Sequence, residues 1–315
     1  MTLAAVEILG ARKNLAGVVY CTPITYSKAL SQLSGAEIYL KWENLQKTGS
    51  FKFRGAYNKI YLLPPEERSR GVITASAGNH ALAVALVSKM MDIKATVVVP
   101  ENAPKVKVKR CRDLGTKVVL KGANYDESLV YCKQMVSETG ATYIPAFEDY
   151  KVIAGQGTIG CEILEEIPDA DTLIVPIGGG GLISGIALWA KTVNPKIRVV
   201  GAQSTAAYTM YESFKAKKIV DVPIPPTMAD GLAGGISEMT LDLVLKYVDE
   251  IVLAEEEELK SAILWILKNE RQVVEGSGAV GPAAILQGRI QFKRGEKTVA
   301  VISGGNIDME FLNLP

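Results

Sequence analysis

One amine in the sequence stands in surroundings that could make it reactive. Lys52 lies near the predicted start of a helix, between Phe51 and Phe53. Apolar neighbours disfavour the charged form of a lysine, and an uncharged amine can act as a nucleophile or base near neutral pH. A solvated lysine whose stem packs against the two rings is the structural alternative. Because His80 is the only histidine, we expect lysine, aspartate or serine to supply the base or nucleophile.

Three glycine-rich turns follow predicted strands, at residues 76–80, 178–181 and 303–306. In parallel sheets such turns lie at the carboxyl ends of strands, where ligands bind. The turn of four glycines precedes a predicted helix, so backbone N–H groups and a helix N-terminus could surround a phosphate. It matches neither the GxGxxG nor the P-loop pattern, which favours a small phosphorylated ligand over a nucleotide. A turn that merely needs positive φ is the alternative, although four idle glycines would each cost about 0.5–1 kcal/mol.

The pattern of apolar runs predicts two α/β units. Strands are predicted at 72–76, 95–100, 117–120 and 141–145, separated by helices at 79–90, 104–114 and 124–138. A second series places strands near 172–177, 197–202, 251–253 and 298–302, and helices near 181–193, 205–217, 255–269 and 277–288. A strand at 36–43 and a helix at 50–63, ended by two prolines, precede both series. This alternation predicts mostly parallel sheets covered on both faces.

Composition places the chain among ordinary globular proteins of about two domains. Its 315 residues include 35 basic and 34 acidic side chains, a balance that predicts no nucleic-acid partner. Four cysteines without a CxxC pair predict reduced, buried thiols in a cytoplasmic protein. The charge-free residues 172–190 contain a proline and five glycines. We therefore expect strand, turn and helix there, and no membrane span.

Six ordered motifs give the chain a resemblance to a known family. They are KWENLQKTGSFKFRGA, SAGNHA, IAGQGTIGCEI, PIGGGGLISG, ADGLA and VISGGNID. In this order they resemble the pyridoxal-phosphate-dependent serine/threonine dehydratases of fold type II, above all the catabolic threonine dehydratases. The resemblance implies two α/β domains with twisted sheets and pyridoxal 5'-phosphate in the cleft between them. A large domain is expected at 1–66 and 147–315, and a small domain at 67–146.

The resemblance also assigns roles to individual residues. Lys52 would bind the cofactor covalently and, once the substrate displaces it, remove the Cα proton. Asn79 would donate to the phenolic oxygen, and Ser303 would face the pyridine nitrogen, where a neutral hydroxyl leaves the ring a weaker electron sink. The expected substrate-binding residues are Ser76, Ala77, Gly78, Asn79 and His80, through main-chain donors. Further cofactor contacts are expected at Phe51, Gly178, Gly179, Gly180, Gly181, Leu182 and Gly304.

The implied reaction is the β-elimination of L-threonine to 2-oxobutanoate and ammonia, as in amino-acid catabolism or isoleucine biosynthesis, with L-serine giving pyruvate. A serine dehydratase and a serine racemase are alternatives within the same fold. Ala77 stands where serine racemases place a second serine, and alanine cannot accept a proton, so we expect poor racemisation. Gln203 stands where a metal-binding carboxylate would be, with Thr209 near a second, so no metal site is expected.

Regulation and assembly are expected to be simple. Leu82 replaces a glutamine beside the nucleotide site of some relatives, which argues against activation by a nucleotide. The sequence ends soon after Asn306, so feedback inhibition by isoleucine is not expected. We expect a homodimer or homotetramer with an amino acid as its small-molecule substrate. A non-catalytic protein that senses a phosphorylated metabolite is the remaining alternative from a different class.

Overall fold

In a computed structural model, which describes residues 3–308, helices surround two β-sheets. The strands are β1 Ile24–Tyr26, β2 Glu37–Trp42, β3 Val72–Ala75, β4 Ala95–Val99, β5 Lys117–Leu120, β6 Thr142–Tyr143, β7 Thr172–Pro176, β8 Arg198–Ser204, β9 Glu250–Ala254 and β10 Lys297–Ile302. The helices are α1 Ala5–Leu15, α2 Lys28–Ser34, α3 Lys52–Tyr61, α4 Pro65–Arg70, α5 Asn79–Met90, α6 Lys105–Asp113, α7 Tyr125–Thr139, α8 Tyr150–Glu166, α9 Gly181–Val193, α10 Thr209–Ala216, α11 Glu238–Tyr247, α12 Glu256–Glu270 and α13 Gly276–Leu286.

The two sheets differ in how the chain builds them. The larger sheet has six strands in the order β1-β2-β10-β7-β8-β9, and the smaller has four in the order β5-β4-β3-β6. Every neighbouring pair is parallel except β1 and β2. This arrangement confirms the α/β fold class with mostly parallel sheets. The smaller sheet uses one continuous stretch of chain, whereas the larger sheet combines segments from both sides of that stretch.

Apolar side chains cover both faces of the larger sheet. Along β7, Leu173 and Val175 belong to one core cluster and Ile174 to the other, as the alternation of a strand requires. Helices α9 and α11 pack on the first face, and α12 and α13 on the second. The carboxyl end of β7, where the four glycines follow, is therefore held between two packed layers.

Most predicted elements are present, with differences near the termini of the helices. The helices predicted at 79–90 and 181–193 coincide with α5 and α9. The prediction that two prolines end the helix at 50–63 is wrong. Helix α3 ends earlier, at Tyr61, and Pro65 is instead the first residue of α4, where its fixed φ suits the first helical turn. Helix α10 begins at Thr209 rather than 205, because a turn closed by the Ala207 N–H and the Ser204 carbonyl precedes it.

Helix α8 was not predicted as a helix, and it supports the helix of Lys52. A Cβ at Gly155 would lie 2.7 Å from the Cα of Gly55 on α3, and a Cβ at Gly157 would lie 3.0 Å from the Gly185 carbonyl on α9. Glycine lets α8 approach both backbones directly. Inside a helix each glycine costs about 1 kcal/mol relative to alanine, so tertiary packing outweighs local propensity here.

The cysteines and the apolar segment behave largely as expected. All four cysteines are free thiols, and Cys111, Cys132 and Cys161 are buried. Cys21 is exposed, so the prediction of burial is wrong for this residue, which lies in the loop before β1. Residues 172–190 form β7, the glycine turn and part of α9. Within residues 3–308 no helix has the length and apolar composition to cross a bilayer.

Candidate active site

A crevice of about 470 Å³ is lined by residues that follow β3, β7 and β10. It brings together most of the residues singled out in the sequence, namely Phe51, Lys52, Ser76, Ala77, Gly78, Asn79, His80, Gly178, Gly179, Gly180, Gly181, Leu182 and Ser303. Gly304 is placed differently, because it packs against the carboxylate of Glu275, and Glu275 itself lines the crevice. The three glycine-rich turns thus meet at one site, as the parallel topology predicts.

Lys52 is the first residue of α3, and the segment before it is attached to the end of β10. The Phe51 N–H donates to the Ser303 carbonyl at 3.1 Å, and Ser50 forms a bridge with Gly304. The Lys52 Nζ donates to the Ala146 carbonyl at 2.9 Å. Burial lowers the pKa of Lys52 to about 8, and the charge of Glu275 only partly opposes this shift. About a tenth of the amine is therefore uncharged at pH 7. The hydrogen bond to Ala146 in the crevice wall argues against the solvated alternative.

A buried ionic network lies two residues further along α3. Arg54 Nε donates to Glu43 at 2.8 Å, Arg54 Nη1 donates to Glu162 at 2.6 Å, and Lys41 Nζ pairs with Glu162 at 2.5 Å. The Arg54 and Glu43 side chains are fully buried. Burial opposes ionisation of Glu43, but the Arg54 guanidinium outweighs it and holds the pKa of Glu43 below its usual value. The network ties α3 to β2 and α8, and so positions the backbone that carries Lys52.

The four glycines form a cradle between β7 and α9. Only Gly180 has a positive φ, of 90°, so a turn that merely needs this conformation does not explain the other three. A Cβ at Gly181 would lie 3.0 Å from Phe147, and a Cβ at Gly179 would overlap the Phe147 ring. A Cβ at Gly178 would lie 3.1 Å from the Gly231 carbonyl. Bare backbone at the N-terminus of α9 is suited to holding a phosphate.

The turn before α5 presents backbone rather than a side-chain cap. Gly78 is the N-cap of α5 and Asn79 its first residue, so Asn79 does not cap the helix. The Ser76 Oγ accepts from the Gly78 N–H at 3.2 Å. His80 is buried with its Nε2 2.9 Å from the Ile144 carbonyl, and burial followed by the charge of Lys52 lowers its pKa to about 3. His80 is therefore neutral, which leaves Nδ1 as an acceptor without a partner among the described residues.

Glu275 is a site residue that sequence reasoning missed. It is the N-cap of α13 and is 5% exposed. Its carboxylate accepts from Asn79 Nδ2 at 2.7 Å. Burial and, to a lesser extent, the charge of Asp230 raise the pKa of Glu275 to about 7, against the Asn79 hydrogen bond. A glutamate directly before the GSG start of a helix was the available signal, but the sequence does not show that α13 points it into the crevice.

The crevice combines a lysine amine with a phosphate cradle at the strand ends of an α/β protein. This combination is typical of an enzyme that uses a phosphorylated cofactor. Residues 15–304 match the family described as Pyridoxal-phosphate dependent enzyme, and the chain belongs to this family. It is 48% identical over 308 residues to the L-threonine ammonia-lyase of Thermotoga maritima. The matched region covers 98% of this chain and 76% of that protein. It is 43% identical over 311 residues to the catabolic L-threonine dehydratase of Escherichia coli K12, at 98% and 94% coverage.

Solved structures agree with this assignment. Maize serine racemase superposes with a TM-score of 0.95 at 37% identity, over 99% of this chain and 96% of that one. The resemblance to fold type II enzymes that depend on pyridoxal phosphate is therefore confirmed. Two observations show that the residues present fit the cofactor. The glycine cradle has no room for a Cβ at Gly179. In addition, buried polar atoms of His80 and Ser277 in the crevice wall lack hydrogen-bond partners among residues 3–308.

The metal-site prediction concerns Gln203. Its Nε2 donates to the Ile177 carbonyl at 3.1 Å, and its Oε1 accepts from the Tyr211 N–H at 2.7 Å. Both ends of the amide are thus occupied by backbone groups. Within residues 3–308 no group of three or more His, Cys, Asp or Glu side chains is arranged to hold a metal ion.

Proposed function

We propose that this protein is an L-threonine ammonia-lyase that converts L-threonine to 2-oxobutanoate and ammonia, and L-serine to pyruvate. The observation that carries the proposal is the half-buried Lys52, whose amine has a pKa of about 8, in a crevice lined by the four-glycine cradle. The Thermotoga and Escherichia relatives, an L-threonine ammonia-lyase and a catabolic L-threonine dehydratase, support the same reaction. A non-catalytic metabolite sensor would have no need of a lysine with a lowered pKa at this place.

The two turns of the crevice bind the cofactor and the substrate, and Lys52 transfers the proton. Bound pyridoxal 5'-phosphate supplies an electron sink that stabilises negative charge at the substrate Cα. The N–H groups of residues 178–181 would bind the phosphate, and the turn at 76–80 would bind the substrate carboxylate through main-chain donors. Lys52 Nζ removes the Cα proton, and the β-hydroxyl leaves with a proton as water. Water then releases ammonia, which leaves 2-oxobutanoate.

Replacement of Lys52 tests this assignment directly. Lys52→Ala removes both the covalent attachment of the cofactor and the base, and a positioned base alone contributes about 10²–10⁴-fold. We expect turnover of L-threonine to fall by at least that factor. The measurement is 2-oxobutanoate formation together with the visible absorption band of the purified protein. Lys59→Ala is the matched control on the same helix, because Lys59 pairs with Asp149 instead.

Two outcomes would overturn the proposal. Near-normal turnover by Lys52→Ala would exclude the lysine as the base. A colourless wild-type protein, or a visible band that does not change on adding L-threonine, would favour the non-catalytic sensor. Comparison of kcat/KM for L-threonine and L-serine decides which substrate the enzyme prefers, since one methyl group is worth only about 1–3 kcal/mol in such a pocket.

Serine racemisation is the competing activity, because maize serine racemase has nearly the same fold. Ala77 lines the crevice and carries no group that can transfer a proton. We therefore propose that little D-serine forms from L-serine, which chiral chromatography of the reaction mixture measures. D-serine formed as fast as pyruvate would show that another residue supplies the second base.

We further propose a division into a large domain at 1–66 and 147–315 and a small domain at 67–146, since β3 to β6 form a sheet of their own.

A homodimer or homotetramer of the whole chain is proposed from the resemblance alone. Sedimentation velocity of the cofactor-loaded protein measures the assembly, and a single monomeric species would exclude it.

A further inference from the structure

Asn79 is held by two side chains from across the crevice. Asn79 begins α5 on the side of the four-stranded sheet, whereas Glu275 and Asn306 lie next to α13 and β10 on the side of the six-stranded sheet. Asn79 Nδ2 donates to Glu275 Oε1 at 2.7 Å, and Asn79 Oδ1 accepts from Asn306 Nδ2 at 2.7 Å. A flipped amide would set oxygen against carboxylate and NH₂ against NH₂. The two partners therefore permit one orientation.

Arg110 fixes the Asn306 amide in turn. Arg110 lies on α6, on the side of the four-stranded sheet, and its Nη2 donates to Asn306 Oδ1 at 2.8 Å. Asn306 Nδ2 also donates to the Thr48 carbonyl at 2.8 Å. With its oxygen taken by Arg110, Asn306 can present only NH₂ to Asn79. The four side chains Arg110, Asn306, Asn79 and Glu275 therefore alternate between the two sides of the crevice.

A second contact from the same helix crosses the rim. Lys107, one turn before Arg110, pairs with Asp230 at 2.5 Å, and Asp230 lies on the side of the six-stranded sheet in the loop that also lines the crevice. Helix α6 thus spans the opening with two cations. Loss of the Arg110 contact would leave the Asn306 amide held only by its hydrogen bonds to the Thr48 carbonyl and to Asn79.

We propose that Arg110 and Asn306 are positioning residues that, with α6 at the rim of the crevice, hold Asn79 in one orientation. The consequence for catalysis rests on the proposed function, since Asn79 matters to turnover only if the cofactor binds beside it. Arg110 acts through Asn306, so the two residues form one unit. An exposed hydrogen bond of this kind changes an equilibrium by about 2- to 10-fold.

The experiment compares Arg110→Ala, Asn306→Ala and the double variant in protein with and without cofactor. Arg112→Ala is the control, because Arg112 is an exposed arginine on the same helix. The first readout is the side-chain amide signal of Asn79 in ¹⁵N-labelled protein, assigned by its loss in Asn79→Ser. The second is the position of the visible cofactor band, and the third is kcat and KM separately.

We expect Arg110→Ala to move the Asn79 signal in both forms, to shift the visible band, and to lower kcat about 2- to 10-fold. The double variant is expected to behave like Asn306→Ala, and Arg110→Lys to restore part of kcat. An Asn79 signal in Arg110→Ala identical to that in Arg112→Ala would overturn the proposal, and so would additive losses in the double variant. Because the Asn79 signal is also read without cofactor, failure of the proposed reaction in wild-type protein is a separate result.

Discussion

Because the ionic network around Arg54 is buried, we expect removal of the Arg54 charge to lower the free energy of unfolding strongly. Arg54→Met keeps most of the side-chain volume but leaves Glu43 fully buried and without its cation. Removing one partner of a buried ion pair costs about 3–5 kcal/mol. With a urea m-value of about 3 kcal/mol/M, the unfolding midpoint of the cofactor-free protein should fall by about 1–2 M.

The matched control is an exposed ion pair whose carboxylate lies on the same helix as Glu162. Arg12 pairs with Glu165, also on α8, but these side chains are 44% and 53% exposed. Exposed pairs contribute about 0–1 kcal/mol, so Arg12→Met should lower the midpoint by only a few tenths of a molar unit, at most. A midpoint for Arg54→Met no lower than that for Arg12→Met would refute the reasoning that burial makes this network strong.

The difference in unfolding free energy between the wild type and Arg54→Met should depend on pH in a definite direction. In the wild type the Arg54 guanidinium lowers the pKa of Glu43 despite burial, so its contribution is present above about pH 4.3 and is lost as pH falls. In Arg54→Met burial is opposed only by the charge of Lys41 and the Thr22 hydrogen bond, so the pKa of Glu43 lies higher than in the wild type and ionised Glu43 stabilises the variant less as pH rises. The difference in unfolding free energy should therefore be smaller at pH 4 than at pH 7.

Two further predictions concern the crevice. Gly179→Ala places a Cβ into the Phe147 ring, so the cradle must widen. We expect the Kd for pyridoxal 5'-phosphate to be at least about tenfold higher, which corresponds to a loss of about 1.4 kcal/mol of binding free energy. Gly10→Ala is the control, because Gly10 has open space around it, and it should leave that Kd unchanged. Burial raises the pKa of Glu275 to about 7, so the wild type loses stability as pH rises from about 4.3 to about 7. Glu275→Gln should flatten the change in urea midpoint between pH 5 and pH 8, and the exposed Glu257→Gln should not; equal slopes in both variants would contradict a buried, titrating Glu275.

Local signals in the sequence predicted much of the fold and of the crevice. The helices at 79–90 and 181–193 follow from apolar runs bounded by glycine, and these cues need no information from elsewhere in the chain. Helix α8 escaped prediction because Gly155 and Gly157 read as breakers until α3 and α9 are packed against them. Glu275 and Arg54 were missed for a similar reason. Their partners Asn79 and Glu162 are far away in sequence, and periodicity carries no record of such pairs.

The position of β10 affects the order in which the chain can fold as it leaves the ribosome. Within residues 3–308, β10 is synthesised after the other nine strands, yet it lies between β2 and β7 in the larger sheet. Until it emerges, the hairpin of β1 and β2 cannot join β7, β8 and β9, whereas all strands of the smaller sheet are already available. The nascent polypeptide thus exposes two unpaired inner strand edges, those of β2 and β7, until β10 emerges, and such edges favour wrong pairing with other extended segments.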